Sequence, residues 1–248
     1  MDAPAFAAHT RTRARRHPVA ALAAAAALAF AAVAVPAIAA EPVAAPPAPV
    51  GGVAPAEWTV RWWRWALGFP AGMAPYLDRD GSLCAADQDE DGPVWFLAGT
   101  NGRFDAKRRC QIPLGKHLLI PVINMYHAAA RTGEDAAGCA ELKARAAVNN
   151  DSLVSAVALL DGKPLGRPLR LVSRCFDPYA ERRDSGPAAD AKTDFHAAAD
   201  GYWLLLPPLP PGRHRLVVGA NYANDVDGRY GRMLQNFEYE LQIGEPSI

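Results

Sequence analysis

The chain has 248 residues, with 26 basic and 26 acidic side chains. Residues 1–40 read as a removable leader, and without them 22 basic and 25 acidic side chains remain, a formal charge of −3. That balance suits a secreted protein and gives no electrostatic reason for nucleic acid or anionic lipid to be a partner.

The leader has a basic start (Arg11, Arg13, Arg15, Arg16), an almost unbroken apolar run from Val19 to Val35, and a small-x-small site at Ala37-Ile38-Ala39. These are the parts of a secretory signal peptide, cut after Ala39 or Ala40. A retained anchor is the alternative, because about 18 apolar residues just span a bilayer. The run is alanine-rich and ends in a cleavage pattern, and nothing later matches its length, so no stable membrane span is expected after cleavage. Arg15-Arg16 is followed by His-Pro-Val, a poor twin-arginine signal. Residues 41–55 are Pro, Ala and Gly without periodicity, which predicts a solvated, semi-rigid linker. Residues 56–245 are enough for a single domain with a substantial core. The expected location is secreted or periplasmic.

The domain begins with "WTVRWWRWALGFP". Trp58, Trp62, Trp65 and Phe69 recur at i, i+4, i+7 and i+11, one face of an α-helix, with Pro55 suited to its first turn and Pro70 ending it. Three buried tryptophans are expected on that stripe; Trp63 falls off it. The period then shortens. Runs at 93–99, 108–114, 117–123, 152–160, 168–176, 201–206, 213–222 and 236–243 are rich in β-branched, aromatic or leucine residues and are bounded by Gly, Pro and Asp. Asp161-Gly162 is a tight-turn signal, and Pro121 inside its run implies an edge or a bulge. Only 135–148 reads as a second helix. Strands without a strand-helix rhythm predict a mainly β fold, an antiparallel β-sandwich or jelly roll with an N-terminal helix and one further short helix.

The blocks "WTVRWWRWAL", "GPVWFLAGT", "CQIPLGKHLLIPVIN", "VALLDGKPL" and "DGYWLLLPPLPPGRHRLVV" stand in this order between Glu57 and Ile243. The chain so resembles an uncharacterised family of secreted bacterial proteins, and departs from its pattern at Cys175, where that pattern has proline. The resemblance implies export and a β-rich domain, and it brings no site residues.

Cys84, Cys110, Cys139 and Cys175 all lie in the exported part, so an even count in an oxidising compartment reads as two disulfides. Of three possible connectivities, Cys84–Cys110 and Cys139–Cys175 join neighbours in sequence and are favoured. A zinc site lacks paired C-x-x-C spacing. Asp87, Asp89 and Asp91, followed by Gly92, match the first half of a calcium loop, but the twelfth position is Ala98 and the bidentate glutamate is missing. No cofactor is therefore expected, with calcium the one candidate. His127, Asp177, Asp194, His196 and Asp200 are acid-base candidates scattered along the chain, and spacing pairs none of them. The aromatic residues Trp63, Trp95, Tyr202, Trp203 and Tyr222 lie in or near strands, where an outward ring would stack on a sugar. The reading is a non-catalytic binding module for a glycan or cell-envelope component; the alternative is a polysaccharide-active enzyme using acid/base residues on loops.

Overall fold

The structure, a computed structural model, describes residues 48–70, 72–180, 195–223 and 232–245. The leader, residues 41–47 of the linker and Asp194 lie outside these residues. No described helix is long and apolar enough to cross a membrane.

The first element is the expected helix, α1 (Pro55–Leu67), with Pro55 at its start and Gly68 capping its end. Among the described residues nine strands and a second α-helix follow: β1 (Val94–Phe96), β2 (Ala106–Ile112), β3 (His117–Ala130), α2 (Cys139–Asn150), β4 (Leu153–Leu160), β5 (Lys163–Pro164), β6 (Leu169–Val172), β7 (Phe195–Leu206), β8 (Gly212–Ala223) and β9 (Arg232–Ile243). They form two sheets, one ordered β1-β3-β7-β6 and the other β2-β9-β8-β4-β5. The β-sandwich follows from this pairing. Both sheets are mixed: β1 runs parallel to β3, and β2 runs parallel to β9. Their interiors are antiparallel, as the strand pattern predicts.

Alternation along the central pair β3 and β7 sets the layers. Leu118 and Ile120, paired with Leu206 and Leu204, pack against the second sheet, together with Leu216, Val218 and Tyr239. Leu119 and Trp203 face the other way, onto Trp58, Trp62 and Trp65 of α1. Both faces of the first sheet are thus buried, one by a sheet and the other by a helix. α2 extends the first of these covers: Leu142 and Ala137 pack on Ala198 beyond the edge of the second sheet. The register slips between Pro121 and Ile123, the bulge that a strand proline requires. Just beyond it Asn124 pairs with Gly201, where an added Cβ would lie 2.3 Å from the Asn124 Cβ, so the close approach of these strands needs glycine.

The exposed edge of β2 is covered by a loop rather than a strand. Lys107 N–H donates to Arg79 O and Arg109 N–H to Asp80 O. That loop turns at Gly81 (φ +96°), whose Cβ, if present, would sit 2.2 Å from Arg109 O. Covering an edge in this way removes a template for aggregation. Arg108, buried on the same strand, donates to the carbonyls of Asp78, Ala98 and Gly99 and to the Tyr239 hydroxyl. Its fork ties two loops to the core with no carboxylate involved. Both expected disulfides are present, Cys84–Cys110 beneath this loop and Cys139–Cys175 at the start of α2; among the described residues no cysteine is free.

Candidate functional site

The tryptophan helix is covered on nearly every side, and its indoles show which rings are structural. Trp58 Nε1 donates to Val50 O (3.2 Å), Trp62 Nε1 to Leu97 O (2.8 Å) and Trp65 Nε1 to Ala86 O (3.0 Å). Trp62 also meets Trp203 edge-on at 5.3 Å. These three rings are core, as the stripe predicts. Trp63 is different: its ring is buried, but its N–H has no partner.

The other four rings proposed for ligand stacking are not on an open face. Trp95, Trp203 and Tyr222 are buried, and Tyr202 is half-buried against the core. The hydroxyls of Tyr202 and Tyr222 are used inside the protein, donating to the Asn150 backbone and side-chain oxygens respectively. Alternation does put Tyr202 and Trp203 on opposite faces, but each face has its own cover.

Of the acid-base candidates, Asp200, His196 and Asp177 are bonded within the fold. Asp200 is buried and grips Arg170 Nε (2.9 Å) and Nη2 (2.7 Å), whose Nη1 reaches Asp151. The bond to Asp200 holds the Arg170 guanidinium above its ordinary pKa. His196 Nε2 donates to Ala137 O at 2.5 Å, and burial, with Arg145 nearby, lowers the pKa of His127. Asp177 is fully buried, its carboxylate accepting the Tyr179 backbone N–H (2.8 Å) and its carbonyl accepting from Arg64 Nε (2.9 Å).

The acidic loop does not hold its carboxylates around a cation. Asp89 accepts the Gly92 N–H (3.2 Å), and Gln88 pairs with the backbone of Phe96 as a surrogate strand. The ammonium of Lys116 donates to the carbonyls of Glu90 and Gly92, gathering the loop around a protein cation where a calcium loop would gather around metal. Among the described residues no three Asp, Glu, His or Cys side chains are placed to hold a metal ion. Asp87, Asp89 and Asp91 are thus not gathered into such a group.

This loop instead forms one wall of a cleft of about 800 Å³. Asp87 and Asp89 stand on that wall, and Arg61 and Arg64 of α1 stand on the other. The floor is Trp58, Val94 and Phe96, and the segment 178–180 forms the rim. Arg61 lies over the Trp58 ring, 4.6 Å from its centroid. Burial lowers its pKa against the opposing pull of Glu57 and Asp89, so this guanidinium is a partly desolvated donor within the cleft. At the rim, Tyr179 is 63% exposed and meets Phe195 edge-on at 6.0 Å.

Sequence reasoning passes over Tyr179, an isolated tyrosine after Asp177-Pro178 with no strand pattern around it. Its position depends on two long-range ties. Arg64 fixes Asp177, and Arg174 grips Glu57 of α1 through Nε (2.8 Å) and Nη2 (3.0 Å). Compared with protein-family models, curated proteins and solved structures, the chain gives no match.

Proposed function

We propose that the protein is an exported, non-catalytic binding protein for a glycan or related cell-envelope component, which lies in the cleft between α1 and the 87–92 loop. The observation that carries this reading is the open ring of Tyr179 at the rim of a cleft that also offers guanidinium and carboxylate groups. A flat ring packs on the apolar face of a sugar, while charged groups around it bond its hydroxyls. The two disulfides accord with an oxidising compartment outside the cytoplasm. One observation favours the enzyme alternative: Asp87 and Asp89 share the cleft, and glycoside hydrolysis uses two carboxylates. The same experiment separates the two readings. Residues 41–248 are applied to a glycan array, and every hit is incubated with the protein and analysed for products. Binding without turnover is expected; cleavage of a bound glycan makes the protein an enzyme, and an empty array removes the glycan reading.

A further inference from the structure

We propose that the Cys139–Cys175 bridge is a reversible thiol-exchange site: a small external thiol opens it in the folded protein by attack on Cys175, with Cys139 leaving, while Cys84–Cys110 stays closed. This goes beyond the glycan reading and holds whatever the cleft binds.

The two bridges differ in access. Cys84 and Cys110 are 7% and 4% exposed and belong to the core between the sheets. Cys139 and Cys175 are both only half-buried, and Cys175 lies at the margin of the small cluster of Ala137, Leu142 and Ala198. The chain around Cys139 is open: residues 131–136, Gly138, Ala140 and Glu141 are all exposed. Exchange requires a thiolate to approach a disulfide sulfur, and its rate follows that access. The buried bridge is therefore shielded for as long as the fold is intact, and the half-buried one is not.

The direction of attack follows from where each cysteine sits. Cys139 is the first residue of α2, and the N-cap Gly138 provides no side-chain acceptor for the N–H groups of the first turn. An uncapped helix start stabilises a thiolate, so Cys139 is the better leaving group. Glu141 opposes this in the same turn, but its charge is balanced by the ion pair with Arg145. Cys175 lies in an irregular segment with no helix start behind it. The incoming thiolate thus bonds to Cys175 Sγ, and the electron pair of the broken S–S bond leaves on Cys139 Sγ. A second small thiolate then attacks the mixed disulfide and releases Cys175 as a thiolate. Two small thiols are oxidised to one disulfide as the bridge is reduced to two thiols.

Both ends of the bridge have other anchors, which makes the opening reversible. Phe176 and Ala197 exchange backbone hydrogen bonds (3.0 and 2.8 Å), Ser173 N–H donates to Ala199 O (2.9 Å), and Arg174 grips Glu57. On the other side Leu142 is buried against Ala198, Ala137 O accepts from His196, and Asn150 Nδ2 donates to Asp200 O (3.0 Å). Reduction leaves the two sulfurs facing each other, and reclosure is favoured.

The test uses residues 41–248 in native buffer with an excess of reduced glutathione. Samples are quenched with iodoacetamide over time and mapped by mass spectrometry, with near-ultraviolet circular dichroism followed in parallel. The expected result is opening of Cys139–Cys175 at least about tenfold faster than Cys84–Cys110, with the dichroism unchanged. Glutathione is expected on Cys175 and the alkyl group on Cys139, and the bridge returns when oxidised glutathione replaces reduced. A bridge that glutathione leaves intact, comparable rates for the two bridges, opening that keeps pace with loss of the dichroism signal, glutathione mainly on Cys139, or failure to reclose would each overturn the proposal.

Discussion

Trp62 and Trp63 are adjacent in sequence and both buried, but of the two only Trp62 donates its indole N–H inside the fold. Trp62 is buried, bonded through its indole to Leu97 and packed edge-on against Trp63, Trp65 and Trp203. Truncation to alanine leaves a large cavity under α1 and an orphaned carbonyl, and large-to-small changes of this kind cost about 3 to 5 kcal/mol. Trp62→Ala is therefore expected to lower stability by that amount in urea titrations, and a variant that unfolds with the parent would show the ring to be dispensable. A second residue-scale prediction concerns His214. Burial disfavours its charged form, but the bonds to Asp161 (Nδ1, 2.7 Å) and to Pro210 O (Nε2, 3.0 Å) outweigh this and raise its pKa above the ordinary 6.5. The pair therefore adds stability that is complete below pH 6.5 and is lost as pH rises through the folded-state value. The Asp161 pKa is lowered, chiefly by the Arg215 N–H and then by His214, so its share is present above about 3.8 and is lost as pH falls through the depressed value. Melts from pH 5 to 8 should show the wild-type advantage over His214→Gln shrinking as pH rises; a constant difference would contradict the ion pair.

Among the elements, α1 and the two disulfides are legible in the sequence because each rests on spacing alone. The strands are legible only where side chains declare them. β3 and β7 run on past the predicted segments through "NMYHAAA" and "FHAAAD", alanine-rich stretches with no intrinsic preference for strand. Pairing from His127–Ala198 to Ala130–Phe195 makes them strands, and small side chains suit them because helices pack on both faces, over Ala197 and Ala199 on one side and Ala198 on the other. The misplaced ligand rings have the same origin. Alternation gives the face of Trp203 or Tyr202 correctly, but which faces are covered depends on where α1 and the second sheet land. The Cys139–Cys175 bridge ties α2 to the segment that leads to Tyr179, closing a loop of sequence separation 36. In the chain-entropy picture such a loop stabilises by about 3 to 4 kcal/mol. The double variant Cys139→Ala, Cys175→Ala should lose about that much in chemical denaturation, and an unchanged midpoint would show that the bridge is not structural.

At the scale of the whole molecule, a helix, a sheet and a second sheet stack in three layers, and the cleft opens where the helix layer meets the 87–92 loop. Among the described residues Asp200, His196 and Asp177 form bonds inside the fold, and Lys116 organises the acidic loop. The open ring that lines the cleft is that of Tyr179, a residue whose position no local pattern announces. It is consequently the point at which binding in the cleft is most directly tested. Calorimetric titration of residues 41–248 and of Tyr179→Ala with the tightest glycan from the array should show affinity falling at least tenfold, a change of about 1.4 kcal/mol, with melting temperatures that agree. Equal affinity in the two proteins would place the ligand elsewhere and contradict a glycan site in this cleft.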